Sequence, residues 1–215
     1  MVYKIEKLTR DVRVALDENK VSGELELEGD VDTLGIDEII RSKVSEAALR
    51  VIKIAPAWMT DGGKPVGDAV SWQGSGPTYW GRLLLPDDFM RLLAFKMSDW
   101  ERSAQEVLSE EDPRYGLQHS RYSGLRGNPQ KPVVAIVRRQ EGLMLEFYSC
   151  LNKDATIEQG VYLSVPRLDR YGMIDIPEKC YKAVIYEAAS LTSATIGEID
   201  MSRMLGELSR GLLEG

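Results

Sequence analysis

A chain of 215 residues that is 43 % hydrophobic and 28 % charged can bury one core, or one core plus an insertion, and its composition argues against wholesale disorder. Its formal net charge of −7, from 34 acids and 27 bases, argues against the basic face that wraps nucleic acid, though not against an acidic surface past which DNA slides. No apolar run approaches the ~20 residues that span a bilayer, and the start MVYKIEKLTRDVRV holds no signal-peptide apolar region, so neither a membrane span nor secretion by that route is expected. One histidine, His119, and two cysteines, Cys150 and Cys180, make a zinc site, a histidine-based triad or a disulfide framework hard to build, and a reducing compartment suits them.

In chain order, Ile5, Leu8, Val12 and Ala15 predict a first helix over about residues 2–16, closed by the acid- and glycine-rich stretch DENKVSGELELEGDVDTLG. In a second helix Ile36, Ile39, Ile40, Val44, Ala47, Ala48, Val51 and Ile54 form an apolar stripe. Asp32 or Thr33 is placed to cap it, and Pro56 ends it. From Ala57 the turn-formers of DGGKPVGDAVSWQGSGPTYWG predict a loop or hairpin. Strand-like runs follow at Arg82–Leu85, Leu93–Met97, Val133–Arg138, Leu143–Cys150 and Val161–Val165. Glu141-Gly142 falls near the turn of a hairpin, and EEDPRYGLQHSRYSGLRGNPQKP makes a long loop of mixed charge. Helices return at the end: Pro177 sits in the first turn of one, Gly197 breaks it, and Asp200 or Ser202 starts the last. This order implies an α+β fold: a helical bundle of N- and C-terminal helices, residues 1–56 and 174–215, carrying a small inserted antiparallel β domain, residues 57–173.

The stretch LLLPDDFMRLLAFKMSDWER, Leu83 to Arg102, raises the question of chemistry. Asp87 and Asp88 after Pro86 suit a turn whose free N–H groups carboxylates cap. The rival reading makes Asp87, Asp88 and Asp99 the ligands of a small metal-dependent hydrolase, for which the sequence shows no convergent partners. Asp99, Trp100 and Arg102 read as a local ion pair or a contact between subunits. GSGP (Gly74–Pro77) lacks the Lys-Ser/Thr of a phosphate loop, and Ser149-Cys150 has no G-x-S-x-G frame. Cys150 and Cys180 lie on apolar segments and read as packing. In HSRYSGLRGNPQK, Arg121, Arg126 and Lys131 with Tyr122 suit an acidic partner surface or a single strand of nucleic acid. Trp58, Trp72, Tyr79 and Trp80 gather around the glycine-rich loop, and the exposed ones are candidate anchors for protein contacts. Ile199, Met204, Leu208 and Leu212 on the last helix complete the interface candidates. None of these constellations amounts to an active site, and no cofactor or metal is expected.

Taken as a unit, LPDDFMRLLAFKMSDWER, then KPVVAIV with LEFYS, then IDIPEKCYKAVIYEAASL and a further amphipathic helix resemble the head–tail connector (adaptor, ring) proteins of short-tailed bacteriophages, in particular the ring proteins of crAss-like phages. The helical start EIIRSKVSEAALRVIKIAP fits too, so the likeness runs from about Ile36 onwards, while residues 61–81 match no pattern of that family. The resemblance implies a non-enzymatic virion protein assembled in the bacterial host cytoplasm. It implies a homo-oligomeric ring, typically of twelve copies, docked beneath the portal protein and above the next tail component. Double-stranded DNA would pass through its channel without sequence-specific contact. The residues themselves leave open a small dimeric regulatory or interaction domain, besides the hydrolase.

Overall fold

The structure, a computed structural model, describes residues 1–18, 35–60, 62–74, 79–120, 122 and 124–214. The expected caps Asp32 and Thr33, most of the acid- and glycine-rich stretch before the second helix, and residues 75–77 of the expected glycine turn lie outside the described residues.

The chain begins with strand β1 (Val2–Lys4) and helices α1 (Ile5–Glu18) and α2 (Ile36–Ile54). Eight strands follow: β2 (Lys64–Pro65), β3 (Ser71–Gln73), β4 (Tyr79–Leu84), β5 (Phe89–Met97), β6 (Glu106–Ser109), β7 (Val133–Arg139), β8 (Gly142–Cys150) and β9 (Ile157–Ser164). Strand β10 (Met173–Asp175) and helices α3 (Tyr181–Thr195) and α4 (Ile199–Glu214) close the order. These elements fall into two compact units, one of Met1–Gly62 with Val165–Gly215, the other of Gly63–Ser164.

In the helical unit α3 is the central element. Ala183, Val184, Ile185, Ala188, Ala189, Ser190, Thr192 and Ser193 are buried because α1, α2 and α4 all pack on it. Its small side chains let α4 approach closely: a Cβ added at Gly206 would lie 3.2 Å from Ser190 Oγ. Two hydroxyls tie the pair, Ser209 Oγ donating to Ala183 O (2.9 Å) and Ser190 Oγ to Ser202 O (2.7 Å). The first helix starts at Ile5 rather than near Val2, because Val2–Lys4 pairs antiparallel with Met173–Asp175.

In the second unit two sheets share one core. The three-stranded sheet runs β2-β9-β5, and the five-stranded sheet β3-β4-β8-β7-β6. Phe95, Met97 and Tyr162 from the first meet Leu83, Val134, Leu145 and Phe147 from the second, with Trp100 and Cys150 in the same cluster. The other face of the five-stranded sheet is buried as well. Met144, Tyr148, Ala135, Val137 and Leu108 pack there, with Tyr115 from the long loop and Trp80 against them.

The expected helical bundle with a small antiparallel β insertion is therefore corrected. Among the described residues ten strands in three sheets stand beside four helices, and the helical unit carries a sheet of its own, β1 with β10. The β unit, 63–164, is no small appendage, and it is not wholly antiparallel, because β6 runs parallel to β7. The physical reason is double coverage. A sheet buried on both faces shows continuous apolar runs, without the alternation that marks a one-sided sheet. Strands of two to four residues such as β2, β3 and β6 leave no periodic signature at all.

Candidate functional site

The acids of the opening stretch do not converge. Asp87 and Asp88 form the turn before β5, closed by the Phe89 N–H donating to Pro86 O (2.9 Å). Asp88 is occupied: Lys64 Nζ (2.5 Å) and the Tyr162 hydroxyl (2.7 Å) both donate to it. These hydrogen bonds hold its carboxyl below the usual range, and burial with the Asp88 contact pushes the Tyr162 phenol up to about 12. Asp99 lies past the opposite end of β5, roughly 30 Å away along nine extended residues, and accepts from the Leu151 N–H (2.6 Å). Among the described residues no three His, Cys, Asp or Glu side chains group as metal ligands.

The neighbouring interface candidates divide. Trp100 is 3 % exposed and packs edge-on to Phe95 (ring centroids 5.8 Å), so it is a core residue and presents no surface. Arg102 is exposed. Trp72 is half-buried against Phe147, and Tyr79 is half-buried with the Lys153 ammonium over its ring. Arg121 lies outside the described residues.

Helix α4 carries two apolar faces. Leu205, Ser209 and Leu213 face α3 and are buried. One position back at each step, Met204, Leu208 and Leu212 are 36 %, 43 % and 39 % exposed, and Ile199 at the start of the helix is 58 % exposed. With Tyr186 of α3, the three later residues line an open groove of about 450 Å³. An i, i+4, i+8 row of large apolar side chains in water is the feature that marks an interaction surface rather than scattered exposure.

Trp80 and Arg126 belong to a second place, a cavity of about 210 Å³ beside the doubly covered sheet. Its walls include the rings of Trp80, Tyr148 and His119 together with Arg126 and Ser149. The Trp80 ring is stacked on Tyr148 (6.2 Å), and His119 stands edge-on to both. Gln118 pins the Arg126–Gly127 segment, its Oε1 accepting from the Gly127 N–H (2.9 Å) while its Nε2 donates to Arg114 O (3.0 Å).

Beneath Tyr148 lies a buried polar network absent from the sequence-based reading. Glu146, 2 % exposed, accepts from the hydroxyls of Tyr115 (2.9 Å) and Tyr148 (2.7 Å) and from Arg139 Nη2 (3.0 Å). Arg139 also pairs with Glu110. Burial pushes the Tyr148 hydroxyl far above the ordinary tyrosine range, and its hydrogen bond to Glu146 adds to this. Burial alone would lower the Arg139 guanidinium, but Glu146 reverses that and holds it above its usual value. The signal was available: a glutamate inside LMLEFYS must find partners or not be buried.

A scan against protein-family models finds no match for this chain, and a search of curated proteins finds none either.

Proposed function

We propose that the chain is a structural subunit rather than an enzyme: one copy of a closed homo-oligomeric ring in the head–tail connector of a short-tailed bacteriophage. It docks beneath the portal protein, joins it to the tail and lines the DNA channel. The observation that carries this reading is the second apolar face of α4. A helix that has already buried Leu205 and Leu213 gains nothing in a monomer by exposing Met204, Leu208 and Leu212 beside them. Covering these three, each already more than half buried, would contribute about 1 kcal/mol per side chain. In a closed ring such a patch meets a different patch of the next copy, and closure repeats the gain around the circle. The pairing of Asp88 with Lys64 and the placing of Asp99 beyond the far end of β5 support the non-enzymatic part. The charge of −7 per copy supports a channel that repels phosphates at distances within a Debye length of about 8 Å.

Native mass spectrometry of the purified chain, alone and mixed with its portal protein, tests this. A closed species near twelve subunits is expected, and its loss in a Met204→Glu, Leu208→Glu double variant that unfolds at the same urea concentration. Deleting α4 outright would be a poor test, because it strips α3 of its cover. A monomer in both mixtures sinks the proposal, and a discrete dimer at every concentration replaces it with the dimeric interaction domain.

A further inference from the structure

The cavity beside the five-stranded sheet has a wall shaped by an irregularity. Between the pairs Gly81–Phe147 and Tyr79–Cys150, β4 advances two residues while β8 advances three. Tyr148 and Ser149 thus stand opposite Trp80 alone, a bulge of the kind that re-aims side chains beside functional sites. Ser149 adopts φ 75, the one positive-φ non-glycine conformation among the described residues, which a serine holds only where its surroundings dictate it.

The re-aimed serine is 5 % exposed, lines the cavity, and its Oγ has no hydrogen-bond partner among the described residues. Arg126 lines the same cavity, and its Nε is likewise buried and without an acceptor among the described residues. Gly127 packs tightly behind the serine, since a Cβ there would lie 3.0 Å from both Ser149 Oγ and Val133 Cγ2. Both orphaned groups can donate. Two buried donors that lack an acceptor, on a wall held in place by Gln118, describe the complement of an anion. The remaining walls are the rings of Tyr79, Trp80, His119 and Tyr148, with Gly74 and Gln118. Tyr148 offers only its ring, because its hydroxyl is already given to Glu146, whose charge is met by Arg139 and two phenols.

We propose that this cavity binds a carboxylate carried on a small flat apolar stem, with Arg126 and Ser149 donating to the carboxylate and Trp80, Tyr148 and His119 holding the stem. About 210 Å³ is below the ~300–1,000 Å³ of sites for drug-sized molecules, so a nucleotide does not fit and a single ring or one side chain does. A free aromatic acid and the carboxylate end of a neighbouring polypeptide present the same chemistry.

The test is a titration of the full chain with benzoate and with benzamide, and with acetyl-Gly-Phe and its amide, followed by the NMR signals of Arg126 Nε–H and the Trp80 indole. Saturable shifts by at least one acid are expected, with a dissociation constant on the order of 1 mM, and at least about tenfold weaker binding of the matching amide. Benzoate alone binding assigns the site to free acids; the peptide acid alone assigns it to a chain end. Arg126→Gln should weaken binding about tenfold. Ser149→Gly should weaken it while raising the thermal midpoint, since glycine accepts φ 75 without strain, and that opposed pair of effects separates a binding role from a structural one. Amides binding as well as acids, no shift by either acid, or unchanged affinity in Ser149→Gly overturns the proposal. The titration is independent of ring assembly, so either reading can fail without the other.

Discussion

Replacing Glu146 with alanine should destabilise the 63–164 unit by about 3–5 kcal/mol, the scale of breaking a buried charge pair. The parts of that figure come from the three donors. Tyr148 is 1 % exposed, so its hydroxyl finds no water in exchange for the lost acceptor, at a cost of about 1–3 kcal/mol. Tyr115 is half-buried and the Arg139 side chain is 32 % exposed with Glu110 still beside it, so each rehydrates in part and loses roughly 1 kcal/mol. Glu146→Gln preserves shape and one oxygen but turns an amide N–H₂ toward donors, and should cost about half as much. Tyr148→Phe removes one donor and leaves Glu146 two, for a loss of about 1 kcal/mol. Urea unfolding followed by tryptophan fluorescence reads this unit selectively, because Trp72, Trp80 and Trp100 lie in it and Trp58 alone lies in the other. A loss below about 1 kcal/mol for Glu146→Ala, or equal losses for alanine and glutamine, would refute the claim that the carboxylate organises these donors.

Further outcomes follow from other contacts. Gly81→Ala should lower stability by about 1–3 kcal/mol in a thermal melt, because the new Cβ would sit 2.3 Å from Cζ of the fully buried Phe147. Gly116→Ala, which meets nothing within 4 Å, is the control and should be nearly silent. The folded pKa of Asp88 is depressed, so its contribution is complete above the unfolded value of 3.8 and lost as pH falls through the folded value. Asp88→Asn should accordingly lower stability at pH 7 and flatten the acid limb of a pH–stability curve. Tyr162, raised from 10 to about 12, contributes fully below pH 10 and loses that contribution as pH rises through 12, a limb that Tyr162→Phe should remove. Cys150 and Cys180 are both buried, and burial with the Asp99 charge pushes the Cys150 thiol up. Neither should react with a thiol reagent at pH 7 faster than the chain unfolds; a prompt stoichiometric reaction would contradict their placement.

The helices were legible because their burial is one-sided where it matters. Ile40, Val44, Ala47, Ala48 and Val51 repeat at helical spacing and are, with Ile52, the residues α2 buries, and the outer row of α4 shows as plainly in sequence as the inner one. Both rows are apolar, so the sequence alone does not say which faces α3. The strands were located as apolar runs, and the β7–β8 hairpin turns next to Gly142, whose φ of 133 only glycine takes readily. How those runs divide between sheets was not legible. Leu145 and Phe147 enter one core while Met144 and Tyr148 enter the other, and a run buried on both sides carries no mark of which neighbour covers it.

For the same reason the cavity is not visible in the sequence, and Trp100 reads there as a contact. Trp100 ends the series Phe95, Met97, Trp100 that fills the space between the sheets; its aromatic bulk is what that space needs. Glu146 announced that partners exist, but Tyr115 comes from a loop 31 residues away and no local pattern points to it. Ser149 is the clearest case. Within LEFYSC it is one more strand residue, a small hydroxyl near the end of an apolar run. Only the pairing of two β8 residues against the single Trp80 of β4 turns it toward the cavity and gives it an empty donor. That register depends on where β4 lies, some 70 residues earlier in the chain, so long-range pairing rather than local composition sets the residue's place on the cavity wall.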